Sequence, residues 1–145
     1  MSLRRLRAAV RRSVVLLVFA GCVAEGATAS AGDDDRIPDD IVVLYNLTYR
    51  EGASASWKLD LAMPKEPASA PRPAIVVIHG GGWIEGSRSS FSRAQERRPG
   101  HIIDFAKLGF VAVSIDYRLA KEAPFPAAIQ DCKCAVRWLR ANSKK

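Results

Sequence analysis

The residues of this chain best suited to chemistry stand together: His79-Gly80-Gly81-Gly82-Trp83, directly after the apolar run Ala74-Ile75-Val76-Val77-Ile78. Three successive glycines allow positive φ and let a ligand come close to backbone N–H groups. Donors of that kind can stabilise the oxyanion of a tetrahedral acyl-transfer intermediate. On the glycines alone, a flexible turn explains the triplet as well. The strand before it and the Trp after it favour the oxyanion loop. Two rival glycine motifs fail on their own terms. A dinucleotide fingerprint needs a third glycine where Glu85 stands, and a P-loop needs Gly-Lys-Ser/Thr where Gly86-Ser87-Arg88 stands.

Such a loop needs elements to hold it. Ala74 to His79 is β-branched, apolar and bounded by Pro73, so it reads as a buried parallel strand. Ile41–Arg50 and Trp57–Met63 read as two earlier strands joined by a turn over Gly52–Ser56. The alternation of Trp57, Leu59, Leu61 and Met63 suits a half-buried edge hairpin. Four prolines between Pro64 and Pro73 make a polar connection. Gly86–Pro99 reads as a long Ser- and Arg-rich loop. His101–Leu108 has helical periodicity, with Gly109 as a C-cap. Phe110–Ile115 is a fourth strand. Phe125–Asn142 is a second helix with Ile129, Cys132, Val136 and Leu139 on one apolar stripe. The expected fold is α/β: an antiparallel hairpin, then parallel strands with right-handed crossover helices.

The N-terminus reads as a targeting segment. Arg4, Arg5, Arg7, Arg11 and Arg12 precede an apolar Val14–Ala20, too short to span a bilayer, and Ala27-Thr28-Ala29 offers cleavage before Ser30. Phe19-Ala20-Gly21-Cys22 resembles a bacterial lipobox, with Phe19 in place of the usual Leu, and would lipidate Cys22. An unprocessed amphipathic N-terminus is the third reading. The expected organisation is a signal peptide over 1–29, an acidic linker over 30–40 and a folded part over 41–145. Localisation is then exported, periplasmic or secreted, with membrane contact only through the leader or a Cys22 lipid.

The chain carries 22 basic and 15 acidic residues, a net charge of +7. Beyond Thr28-Ala29 there remain 17 basic against 14 acidic residues, so most of the imbalance belongs to the leader. The densest cluster, Arg93, Glu96, Arg97 and Arg98, reads as a solvated face. No basic stripe with interleaved aromatics argues for nucleic acid. Cys132 and Cys134 point to different faces of a helix and cannot bridge each other. The two histidines are distant from them in sequence, so neither a metal site nor any cofactor is expected, and burial of one thiol is the simpler reading.

Three blocks in order carry a family resemblance: Val77-Ile78-His79-Gly80-Gly81-Gly82-Trp83-Ile84-Glu85-Gly86, Asp116-Tyr117-Arg118-Leu119-Ala120, and Phe125-Pro126-Ala127-Ala128-Ile129-Gln130-Asp131. Together they resemble the α/β-hydrolase superfamily, in the esterase/lipase branch related to hormone-sensitive lipase and BD-FAE-type carboxylesterases. The similarity runs from about Ile41 to the C-terminus, the N-terminal half of the family's domain, with Lys121 where the family usually has Pro. It implies hydrolysis of a small-molecule carboxylic ester, with the N–H groups of Gly81 and Gly82 as oxyanion donors. His79 and Gly80 would shape the loop, Trp83 would wall a pocket, and Asp116 and Tyr117 would organise the neighbouring loop.

The resemblance also implies a Ser nucleophile and an acid and His that follow it, all C-terminal to the glycine loop. Residues 1–145 contain no Gly-x-Ser-x-Gly. Ser87, Ser89, Ser90 and Ser92 lie in a loop rather than a strand–turn–helix elbow, and His101 is expected to be exposed. The expected sheet is thus partial, truncated before the nucleophile elbow, and these residues alone are expected to be inactive. The alternative is an inactive exported fragment, or a non-catalytic binding remnant of the same fold. In the family the Ala74–His79 strand lies between the Phe110–Ile115 strand and the nucleophile strand. An exposed sheet edge along 74–79, with insolubility, a molten state or oligomers, is therefore expected.

Overall fold

The computed structural model describes the backbone of residues 15–19 and, with side chains, residues 37–93 and 100–143. Cys22, the Ala27-Thr28-Ala29 site, most of the acidic linker and Glu96, Arg97 and Arg98 lie outside the described residues. The strands are β1 (Val15–Phe19), β2 (Ile41–Thr48), β3 (Lys58–Pro64), β4 (Ala74–Ile78) and β5 (Val111–Ile115). A 3-10 turn spans Arg88–Phe91, and the helices are α1 (Ile102–Lys107) and α2 (Ala127–Asn142). They form one sheet in the order β1-β4-β5-β3-β2. β2, β3 and β5 pair antiparallel, while β4 lies parallel to β5.

β4 is buried along its whole length because both its faces are covered. Ala74, Val76 and Ile78 join the core under α2, with Leu59, Leu61, Val113 and Leu139. Ile75 and Val77 join the core under α1, with Ala62, Ile102, Ile103 and Ala106. Successive strand residues point to opposite faces, so a strand between two layers has no polar position to offer. Each fully buried Leu or Val here contributes about 1.5–3 kcal/mol relative to exposure.

Four expectations change. The edge of β4 is not open: Val15–Phe19 pairs with it in parallel, Val15 opposite Ala74 and Phe19 opposite Ile78. The apolar run Val15–Phe19 thus has a place in the sheet that the sequence reading did not give it. The β2–β3 hairpin does stand at the sheet's edge, but β3 is not half-buried: it lies between β2 and β5 and is buried on both faces. β2 is the edge, interrupted by a register shift between Leu44 and Leu47 and by Asn46 at φ 61°. An irregularity of that kind discourages further strand addition.

His101 is wholly buried rather than exposed. Its Nδ1 accepts from the N–H of Ile103, capping α1, and its Nε2 lies 3.1 Å from the Arg93 carbonyl. A helix start carries orphan N–H donors, and an imidazole can serve one while bonding elsewhere through its second nitrogen. Along α2 the buried line is Ala127, Asp131, Ala135 and Leu139, whereas Ile129 is 46% exposed. Small residues let the helix approach the sheet, and the bulkier Ile129, Cys132 and Val136 flank that line.

Candidate active site

The site is built where β4 ends. Strand geometry stops at Ile78, and the chain turns through Gly80–Gly86 over the carboxyl end of the sheet, where open α/β sheets place ligands. The Gly81 carbonyl accepts from the N–H groups of both Ile84 and Glu85, closing a tight turn. Gly81 has φ 109°, and a Cβ there would collide with the Glu85 carbonyl. Trp83 holds φ 63°, unusual for a bulky residue, and its carbonyl accepts from Ala120 N–H at 2.7 Å. Among the described residues, no group accepts from the N–H of Gly81 or Gly82, and both glycines are exposed.

His79 is buried and stacked on Tyr117, ring centroids 4.3 Å apart with 13° between planes. Its Nδ1 lies 2.8 Å from the Gly80 carbonyl, which can only accept, so the proton sits on Nδ1. The Tyr117 hydroxyl donates to the His79 carbonyl at 3.0 Å, and burial pushes its pKa upward. Ile78, His79, Gly80, Gly82, Trp83 and Tyr117 form one end of a mostly apolar cavity of ≈ 560 Å³. Ile129, Cys132 and Val136 of α2 form its side. Burial raises the Cys132 thiol to about 11, so it meets the cavity as a neutral, soft apolar group.

Asp116 does not face the cavity residues but the turn after the glycines. Its Oδ1 accepts from the Arg88 N–H at 2.7 Å, and its Oδ2 pairs with the Arg88 guanidinium. Ser87, Ser89 and Ser92 are accounted for within this turn: Ser87 and Ser89 bond to each other, and Ser92 donates to Asp60 at 2.6 Å. Of the residues singled out from sequence, His79, Gly80, Gly82, Trp83 and Tyr117 therefore meet at one cavity. Gly81 makes the turn beside them, Asp116 anchors it from behind, and Cys22 lies outside the described residues.

Two buried carboxylates hold this arrangement; Asp60 was not singled out from sequence, and Asp131 stood in the third motif block without a role. Asp60, in mid-β3 and 0% exposed, accepts from Arg88 Nε at 3.1 Å, from Ser92 and from the Asn46 N–H. Burial alone would lower the Arg88 pKa, but Asp116 and Asp60 outweigh it and raise it. Asp131, equally buried on α2, accepts from Trp57 Nε1 at 3.1 Å, from Arg50, and from the N–H and guanidinium of Arg118. Arg50 also lies over the Trp57 ring, 4.3 Å from its centroid. The available signals were a carboxylate inside an apolar alternation and an Asp in line with Ala127 and Ala135.

A family model described as BD-FAE matches residues 59–145, from β3 through α2. The chain belongs to the BD-FAE family. This BD-FAE chain is 37% identical to Esterase LipC of Mycobacterium tuberculosis over 94 residues, 65% of this chain and 22% of LipC. It is 36% identical to the hormone-sensitive lipase of Mus musculus over 106 residues, 72% of this chain and 12% of that protein. Esterase B of Lactobacillus Rhamnosis superposes with a TM-score of 0.60 at 28% identity, over 74% of this chain and 32% of esterase B. A truncated carbohydrate esterase from gut microbiota gives 0.56 at 32% identity, over 70% and 34%. The fold of the BD-FAE chain is that of the α/β-hydrolase esterases, and the chain spans about a fifth of LipC and a third of esterase B. Among the described residues no group of side chains could hold a metal ion, and no helix is long and apolar enough to cross a membrane.

Proposed function

We propose that this chain contributes the oxyanion half of a serine carboxylester hydrolase acting on small-molecule esters. The observation that carries the reading is that no described residue accepts from the N–H of Gly81 or Gly82, two exposed glycines at the end of β4, the second of which lines the cavity. A donor placed at a developing oxyanion is worth about 3–4 kcal/mol of transition-state stabilisation. His79, Tyr117 and the Arg88–Asp116 pair supply rigidity, so that the loop need not reorganise during reaction. Trp83 walls the pocket, and the nucleophile, base and acid come from chain beyond residues 1–145.

The test uses two proteins: residues 1–145, and the same residues continued through the downstream coding sequence to its Gly-x-Ser-x-Gly. The longer protein should hydrolyse a short-chain chromogenic ester, and Gly81→Ala, whose Cβ would collide with the Glu85 carbonyl and displace the loop, should lower its kcat. Residues 1–145 alone should stay at the level of a boiled control, since an oxyanion hole stabilises only what a nucleophile creates. Absence of any downstream Gly-x-Ser-x-Gly in every frame would overturn this reading.

We infer further that the protein is exported. The support is the order of basic, apolar and small residues through Ala29. N-terminal sequencing after expression in a bacterial host should begin at Ser30. A lipidated start at Cys22 would place it at the membrane surface, and retained Met1 in soluble cytoplasm would refute both.

A further inference from the structure

We infer that Glu122 is a positioning residue for Trp83, and that through it the turn between β2 and β3 sets the size of ester the pocket accepts. This rests on the proposed function, in which Trp83 walls the pocket. The Trp83 side chain is 66% exposed, so packing does little to fix it. Its backbone stands at φ 63°, a conformation that a bulky residue keeps only when its surroundings impose it. The Ala120 N–H reaches it from outside the glycine turn and donates to its carbonyl at 2.7 Å.

Ala120 is held in turn. It lies in a tight bend in which the N–H groups of Glu122 and Ala123 both donate to the Leu119 carbonyl, at 2.8 and 3.0 Å. From that bend the Glu122 carboxylate reaches the β2–β3 turn and uses both of its oxygens there. One accepts from the Ser54 hydroxyl, the other from the Ser56 hydroxyl at 2.6 Å. Hydroxyl bonds to a carboxylate are charge-assisted, and two of them fix its orientation.

The serines stand on a firm base. The Ser56 N–H donates to Ser54 Oγ at 3.1 Å, and a Cβ on Gly52 would lie 2.4 Å from the Trp57 ring. Trp57 itself donates to the buried Asp131. A path of bonds therefore runs from the core through the hairpin turn, Glu122 and Ala120 to the wall of the pocket. Glu122 is the link in it that faces solvent, so replacing it removes no core packing.

Hydrogen exchange on the 145-residue chain tests the path without any need for activity. The Ala120 amide reports its last bond directly. Glu122→Ala should speed exchange there by about 10-fold, with the amides of β5 and α2 unchanged. Glu122→Gln keeps an acceptor oxygen and should restore most of the protection. Ser54→Ala with Ser56→Ala should match Glu122→Ala, and the triple variant should add nothing further. Unchanged Ala120 exchange in Glu122→Ala would overturn the inference, as would acceleration spread equally over β5 and α2.

The protein continued beyond residue 145 supplies the second readout. Its kcat/KM is compared for a chromogenic acetate and the matching hexanoate. A loosened wall admits the longer chain, so Glu122→Ala should shift the ratio toward the hexanoate by about 10-fold, and Glu122→Gln should return it. An unchanged ratio would overturn the role in size selection. Hydrolysis of neither ester by the parent would overturn the esterase reading, while exchange at Ala120 would still decide whether Glu122 holds Trp83.

Discussion

Tyr117 lies flat against His79, and its hydroxyl reaches back to the carbonyl of the same residue, 38 positions earlier in the chain. One side chain thereby fixes both the ring and the backbone from which the glycine loop departs. Tyr117→Phe would keep the stacking and leave a buried carbonyl short of its donor. A loss of about 1–2 kcal/mol is expected in denaturant unfolding. On the function proposed above, the same change in the protein continued beyond residue 145 should lower kcat more than it raises KM.

Asp131 is the second hub. It is wholly buried and accepts from Trp57, Arg50 and Arg118, tying α2 to the loops before β3 and after β5. Asp131→Ala leaves the Trp57 N–H without its acceptor, while Arg50 and Arg118 keep access to solvent. The substitution should cost about 1–3 kcal/mol. Trp57 emission should change with it, since the indole N–H loses its acceptor. Unchanged stability would show that water replaces the carboxylate at no cost.

Gly86 packs its bare α-carbon against the histidine. A Cβ there would lie 2.6 Å from the Gly80 carbonyl oxygen and closer still to His79 Nδ1, and its φ is 102°. Gly86→Ala therefore collides and strains the backbone at once. The expected cost is about 2–4 kcal/mol, read as a lowered denaturation midpoint. The collision partner is a ring held by Tyr117, so His79→Ala should recover part of the loss in the double variant.

Cys132 should be slow to alkylate. Burial first, and Asp131 second, raise its thiol to about 11, so little thiolate exists near neutrality. At pH 8, iodoacetamide should modify native Cys132 about 100-fold more slowly than the unfolded chain. The folded state holds this proton more tightly than the unfolded one. Its stabilising contribution is therefore full below the ordinary thiol pKa of about 8.5 and is lost as pH rises through about 11. Cys132→Ala should remove that part of the alkaline decline in stability.

The BD-FAE family, the α/β class, the strand leading into the glycine loop and the order of later elements were all legible in the sequence of residues 41–145. They depend on local signals: an apolar run ending in glycines, periodicity in the helices, and motif blocks at fixed spacing. Contacts across long stretches of chain were not legible. Burial of His101 depends on Arg93 and the start of α1 meeting in space. The roles of Asp60 and Asp131 depend on partners up to 81 residues away. A carboxylate in a strand or helix looks the same in sequence whether water or an arginine answers it. The partner of β4 was also a tertiary decision. Apolar side chains and unpaired backbone groups specify that an edge must be filled, but any apolar strand of the right length satisfies that need. Only the folded chain shows Val15–Phe19 in that position.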